Sequence, residues 1–344
     1  MAVMKLPEIL NLLRCPCCAA ALEQREIGLF CTGSDCEYGH DPFMNLSGQP
    51  VLVDFGTSVF KRSTYAGGAV PIVRPLGLPG RILDRFRENL YGENRPAEAK
   101  AADLIGSLAH KPNAKVLVVG GGTAGSGTRE LYAATTLNIV GLDVFPTELT
   151  TLVADGHQLP FAAGSFDAVW IQAVLEHVLD PQLVVQEIHR VIADDGLVYA
   201  DTPFMQQVHG GAFDFHRFSL NGHRWLFRNF SQIDAGTVGG AGTSLLWSLR
   251  YFFRSFGWGN KISTLLTMPF FWIRFFDRVT SRTANSDAAN GVFFLGRKSQ
   301  VAMAPKEIVQ YYWEMREAPA KRAARGANAP AAGMVSNPGM TGAE

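Results

Sequence analysis

The stretch that most constrains this chain is VLVVGGGTAGSG at 116–127, where a short apolar run breaks directly into glycines. The run KVLVV (115–119) has no polar alternation, so both faces of the segment must be covered. That is how a central strand of a parallel sheet reads. Glycines placed immediately after it permit a tight turn and close approach of a ligand to the backbone. From here the pattern alternates. NIVGLD (138–143) and FDAVWIQ (166–172) read as strands, the latter introduced by Gly164 and Ser165. Val184, Ile188, Val191 and Ile192 fall at helical spacing within 181–193. GLVYADT (196–202), opened by Gly196, and GVFFLGR (291–297) are further strands. Strands alternating with helices predict an α/β protein with a doubly wound, mostly parallel, Rossmann-like sheet. A helix near 96–109 leads into this main domain, which spans 96–300.

The loop also carries a chemical expectation. Gly120 and Gly122 allow the free N–H groups of the next helix to face polar ligand atoms. Asp143 ends the following strand, where a carboxylate can accept hydrogen bonds from both hydroxyls of a ribose. Strand, glycine loop, strand and acid in this order point to a cofactor containing adenosine. Gly120, Gly122 and Gly125 literally spell G-x-G-x-x-G, which also admits a nicotinamide dinucleotide.

Residues 153–178, VADGHQLPFAAGSFDAVWIQAVLEHV, decide between the two. With the glycine loop, Asp143, the Asp155–Gly156 pair, LPF (159–161), SFD (165–167) and LEHV (175–178), the chain over roughly 95–300 resembles the class I methyltransferases that use S-adenosylmethionine (SAM). The similarity is to the branch common in small-molecule and glycan biosynthesis. It implies that Gly120 and Gly122 pass under the methionine part of SAM and that Asp143 holds the ribose. Asp155 would hydrogen-bond the adenine amino group, Gly156 would lie beside the ring, and Gln172 would sit near the sulfonium. Val118 stands where the family usually has an acid, and Ala124 where it has a third glycine. The fourth strand ends Ile171–Gln172–Ala173, without the Asn/Asp-Pro-Pro-aromatic motif of many amino methylases.

All five cysteines lie between Cys15 and Cys36. A secreted disulfide scaffold spreads its cysteines through the fold, so this clustering points to metal binding in a reducing compartment. Cys15 and Cys18 form a C-x2-C knuckle, and Cys31 and Cys36 follow as C-x4-C. Four thiolates on two turns can surround one tetrahedral zinc ion, and a unit of some 40 residues needs such a staple. His40 is an alternative to Cys36, and Cys17 is a spare thiol. LLRCPCCAAAL and SGQPVLVDF resemble the opening and close of a zinc-ribbon module related to small methyltransferase activators. The expectation is a structural zinc in a ribbon over 1–55, then a linker with a helix around 81–91 within 56–95.

The segment PFMQQVHGGAFDFHRFSLNGHRWLF (203–227) is similar to the acceptor-side segment of the same branch. An imidazole suits general-base work on a hydroxyl, so His209 and His216 are candidate bases, Asp214 can orient one of them, and Arg217 can bind an anionic substrate. Residues 243–282 are rich in aromatic and basic residues with Asp277 as their only acid, and read as two amphipathic helices broken by Gly257–Gly259 and Pro269. They suit a cap, a lid over a greasy acceptor, or a peripheral membrane contact.

Lys+Arg and Asp+Glu both number 31, so no global pull on nucleic acid is expected. No long uncharged apolar run predicts a spanning helix, and MAVMKLPEIL lacks the pattern of a secretion signal, so a cytoplasmic location is expected. The expected activity is methyl transfer from SAM to a small-molecule, glycan or lipid-linked acceptor, at oxygen. An RNA methyltransferase and a non-catalytic SAM-binding or partner-activating subunit are the alternatives. After about residue 316 the chain turns to Ala, Gly and Pro with scattered charges and is expected to be disordered.

Overall fold

The computed structural model describes residues 3–66 and 94–316. The helix expected around 81–91 and the tail beyond 316 lie outside these residues. Eleven strands are described: β1 (Leu22–Arg25), β2 (Gly28–Cys31), β3 (Asn45–Leu46), β4 (Gln49–Leu52), β5 (Ala114–Val119), β6 (Leu137–Asp143), β7 (Leu152–Ala154), β8 (Phe166–Gln172), β9 (Ile192–Pro203), β10 (Phe230–Gly239) and β11 (Gly291–Lys298). β1 and β2 pair as a hairpin, and the other nine form one sheet in the order β10-β11-β9-β8-β5-β6-β7-β4-β3. Pairs from β4 to β9 are parallel; β11 runs antiparallel to both β9 and β10. The chain steps outward from β5 through β6 to β7, then crosses back to β8 on the other side of β5. That reversal is the switch point where an open α/β sheet forms a ligand crevice.

The apolar run that suggested a central strand is buried on both faces. Leu117 and Val119 join one hydrophobic cluster, and Val116 and Val118 join the other. Helix Arg95–Leu108 covers the second face through Ala97, Ala101, Leu104 and Leu108. Helix Pro181–Val191 covers the first, with Pro181 at its start, where no donor is wasted, and Asp180 accepting from the Leu183 N–H.

The Cys-rich segment does not stand apart from this sheet. β4 lies parallel to β7, with Val51 opposite Val153. The Met4 N–H donates to the Ile139 carbonyl at 2.7 Å, and the Arg14 N–H donates to Pro160 at 2.9 Å. Cys15, Cys31, Cys36, Leu13 and Leu52 share one core with Leu142, Phe161 and Ile171. The segment expected as a ribbon over 1–55 therefore shares the sheet and core of the main domain. A unit this small cannot enclose its own core, and β4 covers what would otherwise be the open edge of β7.

Residues 241–290 are inserted between β10 and β11. Helices Ala241–Ser255 and Asn260–Thr267 are followed by 3-10 turns at Met268–Arg278. The first helix begins at Gly240, which has no side chain to cap it. Asp277 does so from a distance: it accepts from the N–H groups of Gly240, Gly242 and Thr243 and from the Thr243 hydroxyl. Asp277, the one acid of 243–282, is thus spent internally.

Candidate functional site

Around the switch point, the glycine loop and Asp143 are locked together. Gly120 has φ +75°, and a β-carbon there would strike Val174 at 2.2 Å. A β-carbon at Gly122 would meet Asp143 Oδ2 and the Phe145 ring, each at 2.7 Å. The missing side chains let the loop close on the end of β6. The Gly122 N–H donates to Asp143 Oδ2 at 2.8 Å and the Val144 N–H to Oδ1 at 2.7 Å. Burial pushes the Asp143 carboxyl up to about 6, against these backbone donors. A buried acid with only backbone N–H partners keeps lone pairs for a ligand's hydroxyls.

Asp155 follows β7. Its Oδ1 accepts from the His157 backbone N–H and faces His157 Nδ1, and its Oδ2 accepts from Ser58 Oγ. Burial alone would raise this carboxyl, but the hydrogen bonds from His157 and Ser58 outweigh it and hold it below its ordinary value. Asp155 lines a cleft of about 270 Å³ with Ser58, His157, Leu179 and Leu183. Gln172 ends β8 and accepts from Trp170 Nε1 at 3.2 Å. The next residue, Ala173, is held at φ +53°, a conformation a side chain rarely adopts, at the mouth of the crevice.

Two contributors here had no sequence signal. Ser58 reaches Asp155, and Tyr65 donates to the Val144 carbonyl at 3.0 Å. Burial first, then the charges of Asp155 and Asp143, push the Tyr65 phenol up, so it lies near both acids. Both residues come from the segment read as a linker, and nothing in its spacing marks them.

The loop after β9 folds back over Glu176 and His177. The Glu176 carbonyl accepts from the Phe215 and His216 N–H groups at 2.8 and 3.2 Å. Asp214 Oδ2 accepts from the His209 and Gly210 N–H groups at 2.8 and 2.9 Å. Gly210 lies so close to the His177 ring that a β-carbon would sit 2.4 Å from it. His209 Nε2 is thereby brought to 3.7 Å from Glu176 Oε1, and His177 Nε2 to 3.8 Å. The Glu176 carboxylate pushes the His209 imidazole above its ordinary value, against burial.

The structure separates the other expected residues. Asp214 holds the loop backbone, and its Oδ2 is 3.7 Å from His209 Nδ1, too far for a hydrogen bond. Arg217 does not present itself to an anion. Its Nε donates to Gln206, Nη1 to the His216 carbonyl and Asp214 Oδ1, and Nη2 to the Gln207 carbonyl. It is a staple of the loop, and these contacts hold the Asp214 carboxyl well below the usual range despite its burial. His216 points its Nε2 at the Leu179 carbonyl, 3.1 Å away.

At the other end of the chain, four sulfurs converge. Cys15 Sγ is 3.7 Å from Cys36 Sγ, and Cys18 Sγ is 3.3 Å from Cys31 Sγ. All four lie within 4.8 Å of one another. Thiolates about 2.3 Å from a tetrahedral zinc stand roughly 3.8 Å apart, so the set fits that ion closely. The Gly33 N–H donates to Cys31 Sγ at 3.2 Å. His40 and Cys17 are exposed and outside the cluster.

Residues 117–200 match the methyltransferase domain family. A search of curated protein sequences finds no match. Among solved structures, the chain is similar to phosphoethanolamine N-methyltransferase 2 of Haemonchus contortus in complex with SAM, at 16% identity and TM-score 0.41, over 62% of this chain and 56% of that one. It is also similar to the 1,6-didemethyltoxoflavin-N1-methyltransferase of Burkholderia thailandensis, at 14% identity and TM-score 0.37, over 67% and 94%. A chain of the Haloferax volcanii complex between the Trm112 methyltransferase activator and a methyltransferase matches at 18% identity and TM-score 0.35, over 60% and 94%.

Proposed function

We propose that this chain, a methyltransferase by the domain at 117–200, transfers the methyl group of SAM to an oxygen of a small-molecule, glycan or lipid-linked acceptor. The observation that carries the reading is the pairing of the glycine loop with Asp143 at the switch point, inside the matching domain. The residues present fit the cofactor. Gly120 and Gly122 leave the loop backbone bare, and Asp143 and Asp155 are two oriented acids at the ends of neighbouring strands. Bound SAM supplies an electrophilic methyl group. Asp143 holds the ribose hydroxyls, Asp155 and Gly156 meet the adenine, and Gln172 lies toward the sulfonium. The loop carrying His209 brings the acceptor to Glu176 and His177. The protein's contribution is mostly alignment of two reactants. The Cys15, Cys18, Cys31 and Cys36 set holds a structural zinc.

Transfer of labelled methyl from SAM into cell extracts, fractionated into RNA, protein, lipid and small molecules, tests the activity. Label in RNA alone would replace the acceptor class, and SAM binding without transfer to any fraction would make the chain a binding subunit. Calorimetry tests the cofactor. Asp143→Ala removes charge-assisted hydrogen bonds worth about 1.5–3 kcal/mol each, so SAM affinity should fall by roughly tenfold or more. The charged carboxylate is the better acceptor, so affinity should rise with pH through about 6 and level off above it. Binding of NAD and not SAM would end the methyltransferase reading.

The insertion supports a greasy acceptor or a peripheral membrane contact. Phe252, Phe256, Trp258, Ile262, Leu265 and Trp272 are all exposed, with Arg254, Lys261 and Arg278 exposed among them. Among the described residues no helix is long and apolar enough to cross a membrane. Such a face suits the surface of an anionic bilayer, where each basic residue adds about 1 kcal/mol. The protein should sediment with vesicles containing phosphatidylglycerol, and a Phe256→Ser/Trp258→Ser double variant should stay in solution. Equal recovery of both proteins with the vesicles would remove this face from the contact.

A further inference from the structure

Glu176 is 0% exposed, and neither of its carboxylate oxygens receives a hydrogen bond from the described residues. An unpaired buried carboxylate is expensive and is seldom left without a purpose. Two imidazoles face it. His177 Nδ1 is 2.7 Å from the Phe213 carbonyl, and His209 Nδ1 is 3.3 Å from the Gln207 carbonyl. A carbonyl can only accept, so both protons sit on Nδ1. In the neutral rings Nε2 then carries a lone pair, and both Nε2 atoms are turned toward Glu176 Oε1 at 3.8 and 3.7 Å. Three acceptor atoms thus converge with no donor between them, all within 4.8 Å of one another.

We propose that Glu176, His177 and His209 form a binding site for a first-row divalent transition metal, distinct from the cysteine site. A single proton on His209 would satisfy one of these contacts; a divalent cation satisfies all three. Ligands about 2.0–2.2 Å from a metal stand roughly 3.0–3.5 Å apart, so the two contacts to Glu176, at 3.8 and 3.7 Å, need only a slight contraction. The carbonyls of Phe213 and Gln207 fix each ring's tautomer and direction, as the outer partners of a metal-bound histidine do. Two imidazoles and one carboxylate select manganese, iron, cobalt or zinc over magnesium and calcium, which prefer oxygen throughout. The histidine side chains are 29% and 31% exposed, so the cluster is reached from solvent and coordination positions remain for a further ligand. On the methyl-transfer reading, those positions are where an acceptor oxygen would bind, its hydroxyl proton passing to water.

Metal binding is measured here without SAM or acceptor, so the site stands or falls separately from the methyltransferase reading. Full-length protein with its cysteine site loaded with zinc is titrated with Mn²⁺, which thiolates hold poorly, and free Mn²⁺ is followed by electron paramagnetic resonance. One Mn²⁺ per chain should bind. Glu176→Gln and His209→Ala should each weaken it by more than about 100-fold, since even an outer-shell loss costs 10–100-fold. His216→Ala, on the same loop but turned to Leu179, should bind as the parent does. With zinc alone, the parent should hold two ions and Glu176→Gln one. If Glu176→Gln does not fold, His209→Ala, on an accessible loop, decides. No Mn²⁺ uptake by the parent, or uptake unaffected by His209→Ala, would overturn the proposal.

Discussion

His209→Ala should lower methyl transfer by about 10²–10⁴-fold while leaving SAM affinity nearly unchanged, the range for losing assistance to the acceptor's deprotonation. The separation follows from the fold. His209 sits on the loop after β9, 3.7 Å from Glu176, whereas the residues proposed for the cofactor lie at the ends of β5, β6, β7 and β8. Its side chain is 31% exposed, so its removal leaves little cavity and stability should hardly change. His216→Ala is the matched comparison. Its ring is tied to the Leu179 carbonyl, and its loss should change turnover only slightly. Steady-state kinetics beside SAM calorimetry checks both. Near-normal turnover in His209→Ala would take the Glu176 cluster out of the reaction. Activity that falls only in step with the folded fraction would make His209 a packing residue.

Cys15→Ser should remove the zinc of the cysteine site and destabilise the whole chain, not the N-terminal segment alone. Structural zinc contributes apparent free energies of about 10–16 kcal/mol in isolated zinc-finger peptides. Here that energy is not confined to a ribbon. Cys15, Cys31 and Cys36 pack in the core that holds Phe161 and Ile171 of the main sheet, and β4 hydrogen-bonds with β7. Without the ion, burial pushes the Cys31 and Cys36 thiols up, leaving neutral sulfurs with nothing to converge on. Calorimetric melting should show one transition in the parent, shifted down by about 2–4 °C for each kcal/mol lost. Strong chelation should act in the same direction. Elemental analysis should find the zinc retained in Glu176→Gln and lost in Cys15→Ser. A metal-free protein with unchanged melting and a protease-resistant N-terminal segment would refute the assignment.

The alternation of apolar runs and helical spacing was sufficient to place the central strands. The expected strand at 166–172 coincides with β8, and the expected one at 138–143 falls within β6. Parallel strands covered on both faces have to be continuously apolar, so they announce themselves. The glycine loop and Asp143 were legible for a related reason: a turn that tight tolerates no side chain, and the acid must end the next strand. The cysteine quartet was legible because thiolates are rare and their spacing is local.

What the sequence left open depends on contacts between distant segments. β4 reads as the close of a separate module, yet the unsatisfied edge of β7 draws it into the main sheet. Asp277 reads as one acid among many bases, yet it caps a helix that starts some 35 residues earlier, because Gly240 cannot. Arg217 reads as an anion receptor, yet the loop's own carbonyls and Asp214 occupy its nitrogens. Glu176 and His177 lie in LEHV, and His209 in a segment some thirty residues later. Only folding brings Gly210 against the His177 ring and so sets His209 beside a carboxylate that nothing else satisfies. Spacing along a chain decides which residues share a strand or a turn. Whether a polar side chain is already used, or is left facing an empty partner, is decided by which loops close over it.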